Sequence, residues 1–103
     1  MILTTTESIP GREYEIIGIV RGSTVQTKNL GKDILSGLKG LVGGEITAYN
    51  EMMNEARAIA TKRMAEDAEQ QGADAVVCMR YASASVMQSA AEVIAYGTGV
   101  KLK

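Results

Sequence analysis

The sequence predicts an α+β fold, in which one long helix packs on an antiparallel sheet as the second layer of a β-α-β-β domain. Three observations predict it: a β-rich segment near the start, a long segment of helical periodicity in the middle, and two β-rich segments after it. The chain has 103 residues, which suits one domain covering residues 1–103.

The segment before the helix predicts two strands. The first is short, residues 2–5, and ends before a turn centred on Pro10 and Gly11. Residues 14–20 are rich in Ile, Val and Tyr and form the next strand, interrupted by Gly18. Gly22 lies at the centre of a predicted turn over residues 21–23, and residues 24–27 continue the extended chain.

Residues 28–44 combine leucines at helical spacing with several glycines that weaken a helix. We expect a short, irregular helix over residues 30–39 with Asn29 as its N-cap. A loop through Gly43 and Gly44 then leads to the long helix.

Residues 47–71 are the clearest helix of the sequence. One side is apolar and carries Tyr49, Met52, Met53, Ala56, Ile59, Ala60, Met64 and Ala68. The opposite side is charged or polar, and Gly72 is placed to end the helix.

Two strands follow the helix. Residues 75–81 read as a strand buried on much of both faces, and the small residues that follow allow it to continue to residue 86. The last strand covers residues 92–102, where larger side chains alternate with smaller ones. A turn over residues 87–90 joins them, so the two strands should pair antiparallel.

Composition excludes several functional classes. The chain has no histidine and one cysteine, which excludes Ser-His-Asp and Cys-His catalysis, ordinary zinc sites and an internal disulfide. A net charge of −1 and four tyrosines as the whole aromatic content argue against nucleic acid as a partner. No apolar stretch approaches the length of a membrane span, and the start lacks the pattern of a signal peptide. A free thiol fits the cytoplasm.

The expected core is modest because it lacks tryptophan and phenylalanine and depends on Ile, Val, Leu, Met and alanine. Contacts between subunits add buried area to such a core. We therefore expect a homo-oligomer.

Cys78 is the strongest chemical candidate. Copies of its thiol meeting around a rotation axis would offer a site for a soft metal ion or a selenium or sulfur species. Arg80, two residues on, would favour the thiolate if it approaches the sulfur, and Met79 would add a thioether. The alternative is that Cys78 is a small hydrophobic residue of a Val-rich strand.

A second candidate group is polar. Asp33, Glu45 and Glu51 flank the glycine-rich segment, with Asn29 and Tyr49 nearby in sequence, and together they could form a polar pocket at a subunit contact. The alternative for these residues is helix capping and a solvated edge.

Separated patches over nearly the whole chain resemble the YbjQ-like family, small prokaryotic proteins of unsettled function that are often labelled heavy-metal-binding. The matching residues are Thr4-Thr5, Pro10-Gly11, Gly18-Ile19-Val20-Arg21-Gly22, Asn29, Lys32-Asp33, Val42-Gly43-Gly44, Ala48-Tyr49, Glu55-Ala56-Arg57-Ala58-Ile59-Ala60, Met64, Gly72-Ala73-Asp74-Ala75-Val76-Val77 and Gly97-Thr98-Gly99-Val100. The resemblance implies a two-layer subunit, like that of dodecin, which assembles into a ring, typically a pentamer, with extra short strands joining neighbours. It supplies no catalytic residues.

The resemblance also has one departure. Many relatives carry alternating acidic residues on the strand after Val77, whereas this chain has Cys78, Met79 and Arg80 there. A calcium or magnesium site on this strand is therefore not expected, and the remaining ligands are soft.

These observations favour a non-enzymatic cytoplasmic homo-oligomer that binds a soft metal ion or a selenium or sulfur species at Cys78. The first alternative is a scaffolding ring that recruits a protein partner and holds Cys78 inert in its core. The second is an enzyme that uses carboxylates such as Asp33 at a subunit contact.

Overall fold

The computed structural model describes residues 1–27, 43–87 and 90–103, with the helix side chains described from residue 47 onward. The elements in chain order are β1 (Ile2–Leu3), β2 (Tyr14–Thr27), helix α1 (Gly43–Gln70), β3 (Ala75–Met87) and β4 (Ala90–Leu102). The strands form one sheet in the order β1-β3-β4-β2, and α1 packs on one of its faces. The predicted α+β class is confirmed.

The sheet is mixed, so the prediction of a wholly antiparallel sheet was wrong at one strand. β4 is central and pairs antiparallel with β2 and β3, but β1 pairs parallel with β3, Ile2 opposite Ala75. The reason is the path of the chain after β1. The segment after β1 hydrogen-bonds to β3 through Thr4 and Thr6, then packs Ile9 beside Tyr14 at the start of β2. It therefore crosses from one edge of the sheet to the other.

Several element bounds differ from the predicted ones by a few residues. β1 ends at Leu3 instead of residue 5, and β4 begins at Ala90 instead of residue 92. β3 continues to Met87, as the small residues after Tyr81 allowed. Residues 88–89 of the predicted turn, the predicted helix over residues 30–39 and its cap Asn29 lie outside the described residues.

The predicted turn at residues 21–23 was wrong, because β2 runs through them without interruption. Gly22 faces α1, and a Cβ atom there would lie 2.6 Å from the carbonyl carbon of Arg63 and would also collide with Ala60 and Met64 backbone atoms. This glycine therefore marks a close approach of helix and strand. In the sequence, a glycine between two polar residues looks like a turn, but here glycine is needed because the helix packs directly on the strand.

Helix α1 begins at Gly43, so the predicted loop through Gly43 and Gly44 was wrong at these residues. Adding a turn to an existing helix avoids the cost of nucleation, which offsets the low helix propensity of glycine. Gly72, with φ +86°, follows the last turn, where only glycine adopts the left-handed conformation freely.

The main core lies between α1 and the sheet. The helix contributes small or flexible side chains, namely Met52, Ala56, Ala60, Met64 and Ala68, all of them buried. All but Met52 belong to one cluster with Val20 of β2, Val76 of β3, and Val93 and Ala95 of β4. The predicted apolar stripe is confirmed at these five positions, whereas Met53 and Ile59 are half-buried and Tyr49 is exposed.

The helix lies mainly over β2 and β4 and also caps the outer edge of β2. Three of its polar side chains reach this edge: Arg63 donates to the Ser23 carbonyl at 2.8 Å, Asp67 accepts from the Arg21 amide at 3.0 Å, and Gln71 donates to the Ile19 carbonyl at 3.3 Å. Free backbone groups on an edge strand invite pairing with another chain. These contacts block that pairing at the middle of β2.

The described part of the chain contains no helix that is both long enough and apolar enough to span a lipid bilayer.

Candidate functional site around Cys78

Cys78 lies in a β-bulge of β3. Val77 pairs with Thr98 and Arg80 pairs with Tyr96, so Cys78 and Met79 together oppose the single residue Gly97. Gly97 permits this close approach, since a Cβ atom there would lie 3.1 Å from the Met79 Cα atom. The bulge therefore depends on a glycine in the neighbouring strand.

The backbone of Cys78 is left-handed, with φ 55°, and among the described residues it is the one non-glycine residue with positive φ. This conformation brings Cβ too close to a carbonyl oxygen and costs an L-residue about 1–2 kcal/mol. Two hydrogen bonds to the segment after β1 hold the backbone in this conformation. The Cys78 amide donates to the Thr6 carbonyl and the Met79 amide donates to the Thr4 carbonyl, each at 3.0 Å.

The thiol faces away from α1. It is half-buried against a second, smaller cluster formed by Ala75, Val77 and Val100. Its Sγ atom lies 3.9 Å from the Thr6 carbonyl oxygen, to which it donates a weak hydrogen bond. The thiol thus sits at the border of an apolar cluster and a polar backbone segment, and part of its surface reaches solvent.

The bulge separates Cys78 from Met79. Met79 is 7% exposed and packs in the main core under α1, with Val76 and Val93. Its thioether therefore lies on the opposite side of the sheet from the thiol. In one copy of the chain the two sulfur atoms do not share a site.

Arg80 lies beside Cys78 but is held by backbone atoms. Its Nη1 group donates to the carbonyl oxygens of Thr5, at 3.0 Å, and Met79, at 2.8 Å. These bonds fix the arginine over the segment that also carries the thiol's acceptor, Thr6. The pairing of Arg80 with Tyr96 places its side chain on the face of the sheet away from α1.

The polar candidates do not form a described site. Tyr49 is 44% exposed near the start of α1, whereas Asn29 and Asp33 lie outside the described residues. Across the described ranges, no three His, Cys, Asp or Glu side chains come together in a way that could hold a metal ion. A metal at Cys78 would thus need ligands from beyond the described part of one copy.

Sequence reasoning missed the backbone contribution to this site. The Thr5 and Thr6 carbonyls come next to Cys78 only because the segment after β1 lies along β3. The one signal in the sequence is Gly97, since a glycine inside a strand often faces a bulge or a closely packed backbone.

Comparison with known proteins gives consistent results. The YbjQ family model, described as "Putative heavy-metal-binding", matches residues 1–103. A UPF0145 protein of Clostridium novyi is 64% identical over 102 residues, covering 99% of both chains, and one of the archaeon Methanosarcina acetivorans is 55% identical over 103 residues, covering 99% of this chain and 97% of that protein. A crystal structure of a Pediococcus pentosaceus protein of unknown function has a similar fold, with a TM-score of 0.69 at 18% identity, covering 100% of this chain and 98% of that one.

Proposed function

This chain belongs to the YbjQ family, and from that premise we propose that it is a non-enzymatic, cytoplasmic homo-oligomer that binds a soft ligand through the sulfur of Cys78. The ligand is a transition-metal ion or a selenium or sulfur species. The family's description supports the ligand class, and the chemistry of the thiol supports the contact atom.

The left-handed backbone of Cys78 is the observation that carries the proposal. Strain of this kind persists only where the surroundings enforce it, and it is concentrated at binding and catalytic sites. Glycine would adopt the same conformation without strain, so the backbone conformation gives no reason for cysteine. A thiol on a strained, half-buried bulge is instead favourably presented for binding.

The ligand set must be completed by other copies, because a soft metal ion takes several donors and one described chain offers a single thiol there. A ring with Cys78 near its rotation axis would bring equivalent thiols together. We propose a pentamer, the assembly that the family resemblance implies.

The edge of β3 is the surface best suited to contact a neighbouring copy. Every residue from Arg80 to Met87 is exposed, and residues 81–87 carry no charge. Among the described residues, β1 and the segment after it pair with this edge as far as Met79 and no further. A long, uncharged edge strand is an effective template for pairing with another strand, whereas the β2 edge is capped by α1. Pairing of the β3 edge with a different surface of the neighbour would be heterologous and could close into a ring, whereas pairing with the neighbour's own β3 edge would give a two-fold dimer.

The test of the ligand is native mass spectrometry of untagged protein, as purified and after anaerobic incubation with cuprous ion. The variants are Cys78→Ser, which keeps the size of the side chain but removes the soft donor, and Met87→Leu. Met87 is a thioether with 66% exposure and controls for binding at the surface. We expect added mass on the oligomer of the wild type and of Met87→Leu, and none on Cys78→Ser. Bare subunits in all samples would contradict the ligand.

The test of the assembly uses Ala84→Lys, which places a charge on the β3 edge. Its control, Ala58→Lys, places the same charge on the exposed side of α1. Light scattering after gel filtration should find the wild-type oligomer for the control and smaller species for Ala84→Lys. An unchanged oligomer mass for Ala84→Lys would show that the β3 edge is not part of the interface.

The second candidate function is a scaffolding ring without a ligand, and one observation favours it. The thiol packs against Ala75, Val77 and Val100, as an inert small side chain would. Reaction with a thiol reagent separates the candidates. Stoichiometric labelling of the folded oligomer favours ligand binding, and protection until unfolding favours the scaffold.

A further inference from the structure

The face of the sheet away from α1, here called the open face, carries a row of three side chains that no part of the proposed function uses. Arg21 of β2 and Arg80 of β3 both pair with Tyr96 of β4. Directly paired residues on neighbouring strands project to the same face. Because Val20 and Gly22 face the helix, Arg21, Tyr96 and Arg80 form one row across the open face.

This row is positively charged and accessible. Both arginines are exposed, and Tyr96 is 42% exposed. The ion pairs recorded among the described residues join other groups, Lys101 with Asp74 and Lys103 with Glu15. The acidic residue of β4, Glu92, is four residues from Tyr96, which is about 13 Å along a strand. At that distance ordinary salt screens most of its attraction for the arginines.

Arg80 is already oriented. Its Nη1 group is held by the carbonyl oxygens of Thr5 and Met79, whereas Nε and Nη2 have no acceptor among the described residues and can bind another one. Arg21 stands on the other side of Tyr96, with its backbone fixed by the bond from its amide to Asp67. Two strand spacings separate the Cα atoms of the arginines, about 10 Å. The bonds of Nη1 hold the Arg80 guanidinium over the outer edge of β3, on the side away from Tyr96. An anion shared by both arginines would therefore bind to Nε and Nη2 of Arg80, and the Arg21 side chain would extend across the tyrosine to reach it.

We propose that Arg21, Tyr96 and Arg80 bind a phosphate-type oxyanion, either as free phosphate or as the phosphate group of a small molecule. Guanidinium groups match the geometry of phosphate oxygens and bind them through paired, charge-assisted hydrogen bonds. The Tyr96 hydroxyl supplies a neutral donor between them. The site is independent of the Cys78 thiol and adds a second ligand class to the protein.

The experiment is isothermal titration calorimetry of the untagged oligomer with sodium phosphate, at constant ionic strength, and then with glycerol 3-phosphate. We expect saturable binding with a dissociation constant of about 1 mM. Arg21→Gln and Arg80→Gln should each weaken it about tenfold, because each removes a charge-assisted pair of hydrogen bonds. Lys62→Gln, which removes the same charge from the exposed side of α1, should bind as the wild type does.

The comparison of the two ligands identifies the source of the phosphate group. Binding of glycerol 3-phosphate that is tighter than that of free phosphate indicates an organic phosphate, and equal or weaker binding indicates the free ion. Absence of saturable binding to both, or wild-type affinity in Arg21→Gln, would overturn the site. Arg21→Gln decides the matter if Arg80→Gln fails to fold, since the Arg80 side chain holds the segment after β1. Cys78→Ser should bind phosphate normally, so failure of this site and failure of the soft-ligand proposal are separate results.

Discussion

Replacement of Gly22 by alanine tests the account of how helix and sheet pack. An added Cβ atom would lie 2.6 Å from the Arg63 carbonyl carbon and closer still to backbone atoms of Ala60 and Met64. Carbon atoms pack best at about 3.5–4.0 Å, so α1 must withdraw by about 1 Å. A gap of that size forfeits about a quarter to a half of the dispersion energy of the facing atoms.

The cost should be about 3 kcal/mol, the upper part of the range for overpacked cores, because the obstacle is backbone and cannot rotate away. This is a large fraction of the stability of a small domain, about 5–15 kcal/mol. Urea unfolding followed by far-UV circular dichroism measures it, at fixed subunit concentration because assembly contributes to stability. With a slope of about 2 kcal/mol per molar urea, the midpoint should fall by about 1.5 M.

The matched control is Ser23→Ala, the next residue of β2, which is exposed and should stay within about 0.5 kcal/mol of the wild type. The reasoning is refuted if Gly22→Ala unfolds with the wild-type midpoint. A rise in stability would point to the turn that the sequence suggested, since alanine at an unstrained turn position restricts the unfolded chain.

Three further changes test other parts of the structure by the same measurement. Cys78→Gly should be more stable than Cys78→Ala by about 1 kcal/mol, because glycine adopts φ 55° without strain. This is the reverse of the usual order of the two residues within a strand, and equal stabilities would mean that the bulge is not strained. Asp67→Ala should lose about 1 kcal/mol and aggregate faster as the β2 edge is uncapped, whereas its neighbour Glu66→Ala should do neither. Met64→Ala should cost about 3 kcal/mol, because Met64 is fully buried, whereas Val25→Ala, at an exposed apolar position of β2, should cost close to none; similar losses would contradict the core.

The positions of the helix and of most strand residues could be predicted because they depend on local patterns. Alanine and methionine recur at helical spacing from Met52 to Ala68, and each of these side chains packs where the period places it. The β-rich segments became β2, β3 and β4 for the same reason. The glycines were the least predictable residues. Gly22 was mistaken for a turn because glycine marks turns and close contacts alike.

The candidate site could be predicted only by residue type. The sequence drew attention to Cys78 because it is the one thiol of the chain. Alternation along an unbroken strand placed Cys78 and Arg80 on one face and Met79 on the other. Both arginine and thiol do lie on the open side, but the bulge decides the geometry, since it adds a residue and bends the backbone at Cys78.

By itself, the sequence determined the α+β class, the long helix with its apolar stripe, and the exclusion of histidine-based chemistry, because composition and periodicity are local properties. Only the tertiary structure decided that β1 runs parallel to β3, that Gly22 lies under the helix, and that Arg21 and Arg80 flank Tyr96. These features depend on strand order and register. Order and register are set by contacts between residues far apart in the chain, and a shift of one residue would reverse the face of every side chain.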